Sequence, residues 1–172
     1  MPERRPRAGP ADPDSSKGAY LLALRWLTAR ERSEAQVRQR LVERGYSQTA
    51  ISPAVARLVA ERTLDDRRAA TTVARAEANV RRHGSRRVAA TLTAMRIDRD
   101  LVKEVVREVF GEADEQDLLE RALNRRLRGK PERLADPRER RKLLAYLVRQ
   151  GFSASAASGL LRKRMREPKS GS

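Results

Sequence analysis

The chain has no cysteine, which excludes disulfides, thiolate metal sites and cysteine nucleophiles. It has one histidine, His83, and so no second imidazole to share a metal ion. Aromatic residues make up 3% of the chain, too few for a surface on which successive bases stack. There is no glycine-rich phosphate loop, nucleophile elbow or histidine-based metal motif, so no catalysis, cofactor or metal is expected. No apolar run approaches the roughly 20 residues of a membrane-crossing helix, and no membrane association is expected. Met1 to Asp14 is rich in proline and charge and lacks the apolar centre of a secretory signal, so a cytoplasmic protein is expected. No stretch alternates convincingly with period two, which argues against a sheet.

Acids are also in short supply. Asp and Glu total 23 against 39 Lys and Arg, for a net charge of +16. Six of the basic residues are Lys and 33 are Arg. Genomic base composition explains arginine over lysine, but not the failure of acids to balance them. The excess implies a polyanionic partner, either nucleic acid or an acidic protein surface. Any contact with nucleic acid should be to backbone rather than to bases.

What is present is a repeat. Leu41-Val42-Glu43-Arg44-Gly45-Tyr46-Ser47 recurs as Leu92-Thr93-Ala94-Met95-Arg96-Ile97-Asp98 and as Leu147-Val148-Arg149-Gln150-Gly151-Phe152-Ser153. Each copy reads as a helix end, a tight turn and the N-cap of the next helix. Glycine at the fifth position of two copies supplies a left-handed C-terminal cap, and the apolar residue after it can pack back onto the helix. Ser or Asp then accepts from the free N–H groups of the following helix. Four and eight residues further on lie Ile51 and Val55, Val102 and Val106, Ala157 and Leu161, one stripe per helix. The copies are about fifty residues apart, the spacing of a helical repeat.

This register predicts an all-α protein of three tandem three-helix repeats, stacked into an elongated, curved body. Residues 1–16 form a disordered N-terminal tail, 17–63 the first repeat, 64–112 the second, 113–167 the third, and 168–172 a short C-terminal tail. A core of Leu, Val and Ala in units this small calls for stacking of one unit on the next. In the first repeat, Ser33 to Gln36 is a capping box, and Trp26 is a packing anchor. Pro53 leaves two readings of the third helix: a late start with Ser52 as N-cap, or a start at Ser47 with a kink. In the second repeat, Ala69, Val73, Ala76 and Val80 form the first stripe, Gly84 ends that helix, and Val88, Leu92 and Met95 mark the next. In the third, Leu119, Ala122, Leu123 and Leu127 precede a break at Gly129-Lys130-Pro131. Asp136-Pro137 then opens a helix with Leu143, Leu144 and Leu147.

Asp65-Asp66 is the one adjacent acidic pair with the look of a motif. Its position at a helix start favours capping over metal or acid–base chemistry. His83 lies in a basic helix end without sequence partners for catalysis. The positive signal is the basic clusters. Arg81, Arg82, Arg86 and Arg87 bracket Gly84. Arg125, Arg126, Arg128 and Lys130 end a helix, and Arg138, Arg140, Arg141 and Lys142 open another. Arg162, Lys163, Arg164 and Arg166 lie at the end of the last helix. Each alone is an ordinary solvated face; together they offer a surface to phosphates or carboxylates.

From Leu64-Asp65-Asp66 onward the chain resembles the RecX family, regulators of the RecA recombinase. The family pattern is Leu-Asp-Asp, two variable residues, an aromatic and Ala, then a basic helix, a Gly, an aliphatic four residues on, a Leu four further and a Gly-Ile turn. Here it falls on Leu64-Asp65-Asp66, Ala70, Arg75, Gly84, Val88, Leu92 and Ile97, and the first repeat matches in Leu41 through Ser47 and Ile51. Ala69 stands where the aromatic is usual, and Arg96 where the turn glycine is usual. The resemblance spans roughly residues 19 to 167. It implies a monomeric, non-enzymatic, cytoplasmic regulator of recombination, DNA repair and the SOS response. Such a protein binds the RecA–DNA filament and inhibits strand exchange and ATP hydrolysis, touching DNA through phosphates. The competing reading from composition is a general nucleic-acid-binding helical-repeat protein.

Overall fold

A computed structural model describes residues 9–112 and 115–166. Among these residues there are helices and turns and no strand. The α-helices are α1 (Ser16–Ala29), α2 (Glu34–Glu43), α3 (Gln48–Ala60), α4 (Asp66–Arg75), α5 (Ser85–Ala94), α6 (Arg99–Glu112), α7 (Glu115–Leu127), α8 (Pro137–Arg149) and α9 (Ala154–Arg166). A π-helical turn, Ala76–Val80, continues α4, and a 3-10 turn, Pro131–Leu134, precedes α8. The chain divides into two compact units. One holds the residues through Thr72 and Ala94–Asp98; the other holds Val73–Thr93 and the residues from Arg99 on.

In the first unit α1 packs mainly on α3, with α2 across both. Val37, Leu41, Ile51, Val55 and Leu58 are fully buried there, and Ala19 and Ala23 let α1 approach closely. The capping box at Ser33 forms in full. Ser33 Oγ accepts from the Gln36 N–H at 3.2 Å, and Gln36 Oε1 accepts from the Ser33 N–H at 3.2 Å. The repeated turn closes as its sequence predicts. Gly45, at φ 89°, donates to the Val42 carbonyl at 2.9 Å, and Tyr46 donates to the Leu41 carbonyl at 3.1 Å. Gly151 and Phe152 repeat both bonds to Val148 and Leu147, and Phe152 is 1% exposed. Arg96 takes the same left-handed conformation without glycine, at φ 59°.

One open alternative is settled and two expectations need correcting. The third helix begins at Ser47, whose side chain accepts from Ala50, and runs through Pro53. Pro53 and the Thr49 it cannot bond both lie in an exposed first stretch of that helix, which is why the proline is tolerated. The described part of the N-terminal tail is tied down. The Ser47 N–H donates to the Pro13 carbonyl at 3.0 Å, and Ser15 caps α1 by accepting from Gly18. Residues 1–8 and 167–172 lie outside the described residues. Finally, the first stripe of the second repeat is not Ala69, Val73, Ala76 and Val80. The buried positions are Ala69, Ala70, Ala74, Glu77 and Ala78, while Val80 is 73% exposed. The buried face lies one residue on from the valines: Ala70, Ala74, Glu77 and Ala78 keep the helical spacing, while Val73 is half-buried and Ala76 and Val80 fall outside it.

Asp65 and Asp66 are both caps, in different places. Asp65 accepts from the Arg68 N–H at 2.9 Å and so opens α4. Asp66 accepts from the Glu34 N–H at 2.7 Å and so caps α2. Burial, opposed by that Glu34 hydrogen bond, pushes the Asp66 carboxyl up from its ordinary value.

In the second unit α8 packs on α7 and α9. Gly84 does more there than end a helix. Its N–H donates to the Gln150 carbonyl at 2.8 Å, and a Cβ on it would lie 2.6 Å from the Gly151 backbone. The turn before α5 therefore rests directly on the turn between α8 and α9, a contact open only to glycine on both sides.

Candidate anion-binding cleft

Many arginines are committed to the scaffold. Arg68, Arg87, Arg133 and Arg140 donate to main-chain carbonyls at helix ends and turns, at 2.7–3.0 Å. Arg38, Arg57 and Arg121 pair with carboxylates one helical turn away. Arg164 reaches Glu120 at 3.2 Å and Lys163 the same carboxylate at 3.7 Å. These contacts explain part of the arginine excess.

Of the residues singled out in the sequence, Arg81, Arg125, Arg126 and Arg128 meet. They line a cleft of about 570 Å³ together with Val80, His83, Tyr146 and Gln150. Three pieces of local structure bring them there. The π-turn carries the chain to Arg81. The last turn of α7 presents Arg125 and Arg126. A left-handed residue after α7, Arg128 at φ 53°, turns its side chain's origin away from the helix track. Arg126 stacks on the Tyr146 ring, its guanidinium carbon 5.2 Å from the ring centre. Its carbonyl in turn accepts from Arg133 Nη1 at 3.0 Å, and Arg133 is clamped by Glu139 at 2.6 Å. Lys142 on one side and Arg133 on the other pull the Glu139 carboxyl down to about 2.

Below the cleft sits a buried carboxylate. Glu77 is 4% exposed and uses both oxygens, one accepting from Arg81 and the other from His83 Nδ1 at 2.5 Å. His83 therefore carries its proton on Nδ1 and is held as one wall of the cleft. Arg125 and Arg128 are exposed and have no acidic partner among the described residues. The arrangement offers several fixed positive charges and a flat ring to an anionic partner.

The other sequence candidates lie apart from this cleft. Arg87 is engaged with the Arg149 carbonyl. Arg82 occupies a left-handed turn at φ 61°, Arg86 is exposed on α5, and Lys130 directly precedes the 3-10 turn. Arg162 lines a different, apolar groove between α8 and α9, with Leu144, Leu161 and Met165. Sequence reasoning missed Tyr146, Val80 and Gln150. Tyr146 looks like any apolar side chain on an amphipathic helix, and Val80 reads in sequence as part of a buried stripe. Among the described residues no group of His, Asp and Glu has the arrangement to hold a metal ion. No described helix is long and apolar enough to cross a membrane.

Fold and cleft together define an all-helical, basic protein of three-helix units whose prominent site is a rank of arginines around a tyrosine. Comparison with known proteins sharpens that class. The family models for the first and third three-helix domains of RecX match residues 19–58 and 113–161. The regulatory protein RecX of Trichlorobacter lovleyi is 31% identical over 147 residues, covering 84% of this chain and 94% of its own. That of Mycobacterium leprae is 35% identical over 145 residues, 84% of each chain. The crystal structure of RecX from Lactobacillus salivarius superposes with a TM-score of 0.70 over 88% of this chain and 97% of its own, at 18% identity. The chain belongs to the RecX family of regulatory proteins.

Proposed function

We propose that this protein binds the RecA–DNA filament and restrains RecA strand exchange and ATP hydrolysis, with no catalytic step of its own. The observation that carries the reading is the convergence of Arg81, Arg125, Arg126 and Arg128 on one cleft beside Tyr146. Arginine forks set at fixed spacing match the carboxylates of a protein groove and the phosphates of the DNA within it. The protein acts as a cytoplasmic monomer. Arg82, Arg86, Arg87, Lys130, Arg162, Lys163 and Arg164 extend the basic surface outside the cleft.

The test is DNA-stimulated ATPase of the recombinase with purified protein added. Inhibition at substoichiometric to equimolar protein is expected, and no inhibition at several-fold molar excess would overturn the proposal. Charge reversal at Arg125, Arg126 and Arg128 together should weaken filament binding at least tenfold while the helical circular dichroism stays unchanged. Unchanged binding would reduce the cleft to a solvated face. A second reading, general coating of nucleic acid, is favoured by Arg125 and Arg128, which have no acidic partner among the described residues. It requires tight binding to naked DNA with a steep salt slope, close to −0.9 per phosphate contacted.

A further inference from the structure

Arg32 lies in the short link between α1 and α2, next to the Ser33 cap, and is only 7% exposed. A buried guanidinium is normally matched by a carboxylate or by carbonyls that take up its N–H groups. Among the described residues the Arg32 Nε finds no acceptor, and the charged groups that act on it are two more cations, Arg30 and Arg40. Burial first, and then those two neighbours, push its guanidinium below the ordinary arginine value. The carboxylates close by in sequence are spoken for. Glu31 holds Arg68 at 3.1 Å, and Glu34 holds Arg38 at 2.8 Å. Arg40 lies over Trp26, 5.1 Å from the ring centre, and Trp26 is half-buried rather than sealed in the core.

We propose that Arg32, flanked by Arg30 and Arg40 and bordered by Trp26, is a phosphate-binding subsite for the backbone of single-stranded nucleic acid, separate from the cleft at Tyr146. Three charges without an acid among them call for more negative charge than one carboxylate brings, and successive phosphates supply it. The fork of Arg32, fixed by its burial, is prepared for two-point bonding to phosphate oxygens and loses little freedom on binding. Arg40, lying over the Trp26 indole, offers its own guanidinium plane to an adjoining base. In the free protein the unmatched charge is a burden on folding; the ligand removes that burden when it arrives.

This opposition of stability and binding supplies the test. Arg32→Met keeps the length and the apolar stem and removes the charge. The full-length variant should melt higher than the parent by about 2–4 °C. It should also bind a short oligo-dT several-fold more weakly, with a salt slope shallower by about 0.7 for the lost contact. Arg30→Gln, on an exposed side chain, gives a second reading and should weaken oligo-dT binding without any change in melting. An Arg32→Met protein that melts lower and binds oligo-dT with the parent's slope would show a packing residue and overturn the proposal. So would unchanged binding in Arg30→Gln if Arg32→Met does not fold. Saturation of the site by inorganic phosphate at matched ionic strength would identify a free-anion site instead. An equal loss of polyglutamate binding would identify an acidic protein segment. No recombinase is present in these measurements, so their outcome is independent of whether the protein engages the filament.

Discussion

Glu77 and Arg32 are both more than nine-tenths buried, and their surroundings treat them in opposite ways. Glu77, in the second unit, has a partner for each oxygen: Arg81 on one and His83 on the other. Arg32, in the first unit, has two cations for neighbours and an Nε with no acceptor. With 23 acids against 39 bases, the fold cannot match every buried or crowded cation from within. Glu77, with both oxygens taken, is scaffold; the proposed role of the unmatched charge on Arg32 is to meet a partner's anion.

The comparison breaks most plainly at Glu77. Glu77→Ala leaves the Nδ1–H of a histidine that is 8% exposed without its acceptor, and opens a gap beneath the cleft. The expected loss is about 1–3 kcal/mol in a denaturant titration. Arg81 is largely exposed and turns to water, so most of that loss should come from His83. If Glu77→Ala proves neutral while Arg32→Met destabilises, the roles assigned to the two residues are reversed.

A smaller effect separates scaffold cations from partner cations. Four arginines among the described residues hold left-handed turns where glycine is the usual residue: Arg62, Arg82, Arg96 and Arg128. A non-glycine residue there is disfavoured by about 1–2 kcal/mol against its ordinary conformation, partly offset by the entropy that glycine loses on folding. Arg96→Gly and Arg128→Gly should therefore each stabilise the protein by about 0.5–1 kcal/mol. Only Arg128→Gly should weaken binding of the anionic partner, because Arg128 lines the cleft. Equal binding by both variants would mean that the residue at Arg128 serves the turn alone.

Much of the scaffold was legible because its signals are local. The capping box at Ser33, the glycine turns at Gly45 and Gly151, and the caps at Asp65 and Asp136 each need only a few neighbouring residues. The leucine stripes of α7 and α8 follow from helical period, with Leu119, Leu123, Leu143 and Leu147 all buried. The first helix of the second repeat resisted because its buried face is made of the small residues Ala69, Ala70, Ala74 and Ala78, while its larger apolar side chains, Val73 and Val80, lie off that face. Gly84 was visible as a helix breaker, but its close approach to Gly151 joins positions far apart in sequence. The arginine clusters could be found by counting. Which arginines meet could not, since Arg81 and Arg128 are brought together by two unusual backbone turns. Arg32 gave no sequence signal: one arginine in a link of Arg30-Glu31-Arg32-Ser33 looks solvated until its burial is known.

The mildest test concerns a carboxylate nearer the surface. Glu139 has two cationic partners, Lys142 at 2.8 Å and Arg133 at 2.6 Å, and its carboxyl is pulled from 4.5 to about 2. Its folded value lies below its unfolded one. The stability it lends is therefore present in full above pH 4.5, declines as pH falls, and is gone once pH passes below about 2. Glu139→Gln should flatten that part of the acid denaturation profile and change little at neutral pH, because the pair is partly open to solvent. The variant also frees Arg133, whose other bond holds the Arg126 carbonyl at the edge of the cleft. Partner binding should then become pH-dependent in the parent between pH 4.5 and 2 and lose that dependence in Glu139→Gln. If the two profiles coincide, Glu139 stands with the solvated surface rather than with Glu77, and the tie from Glu139 through Arg133 to the cleft carries no energy.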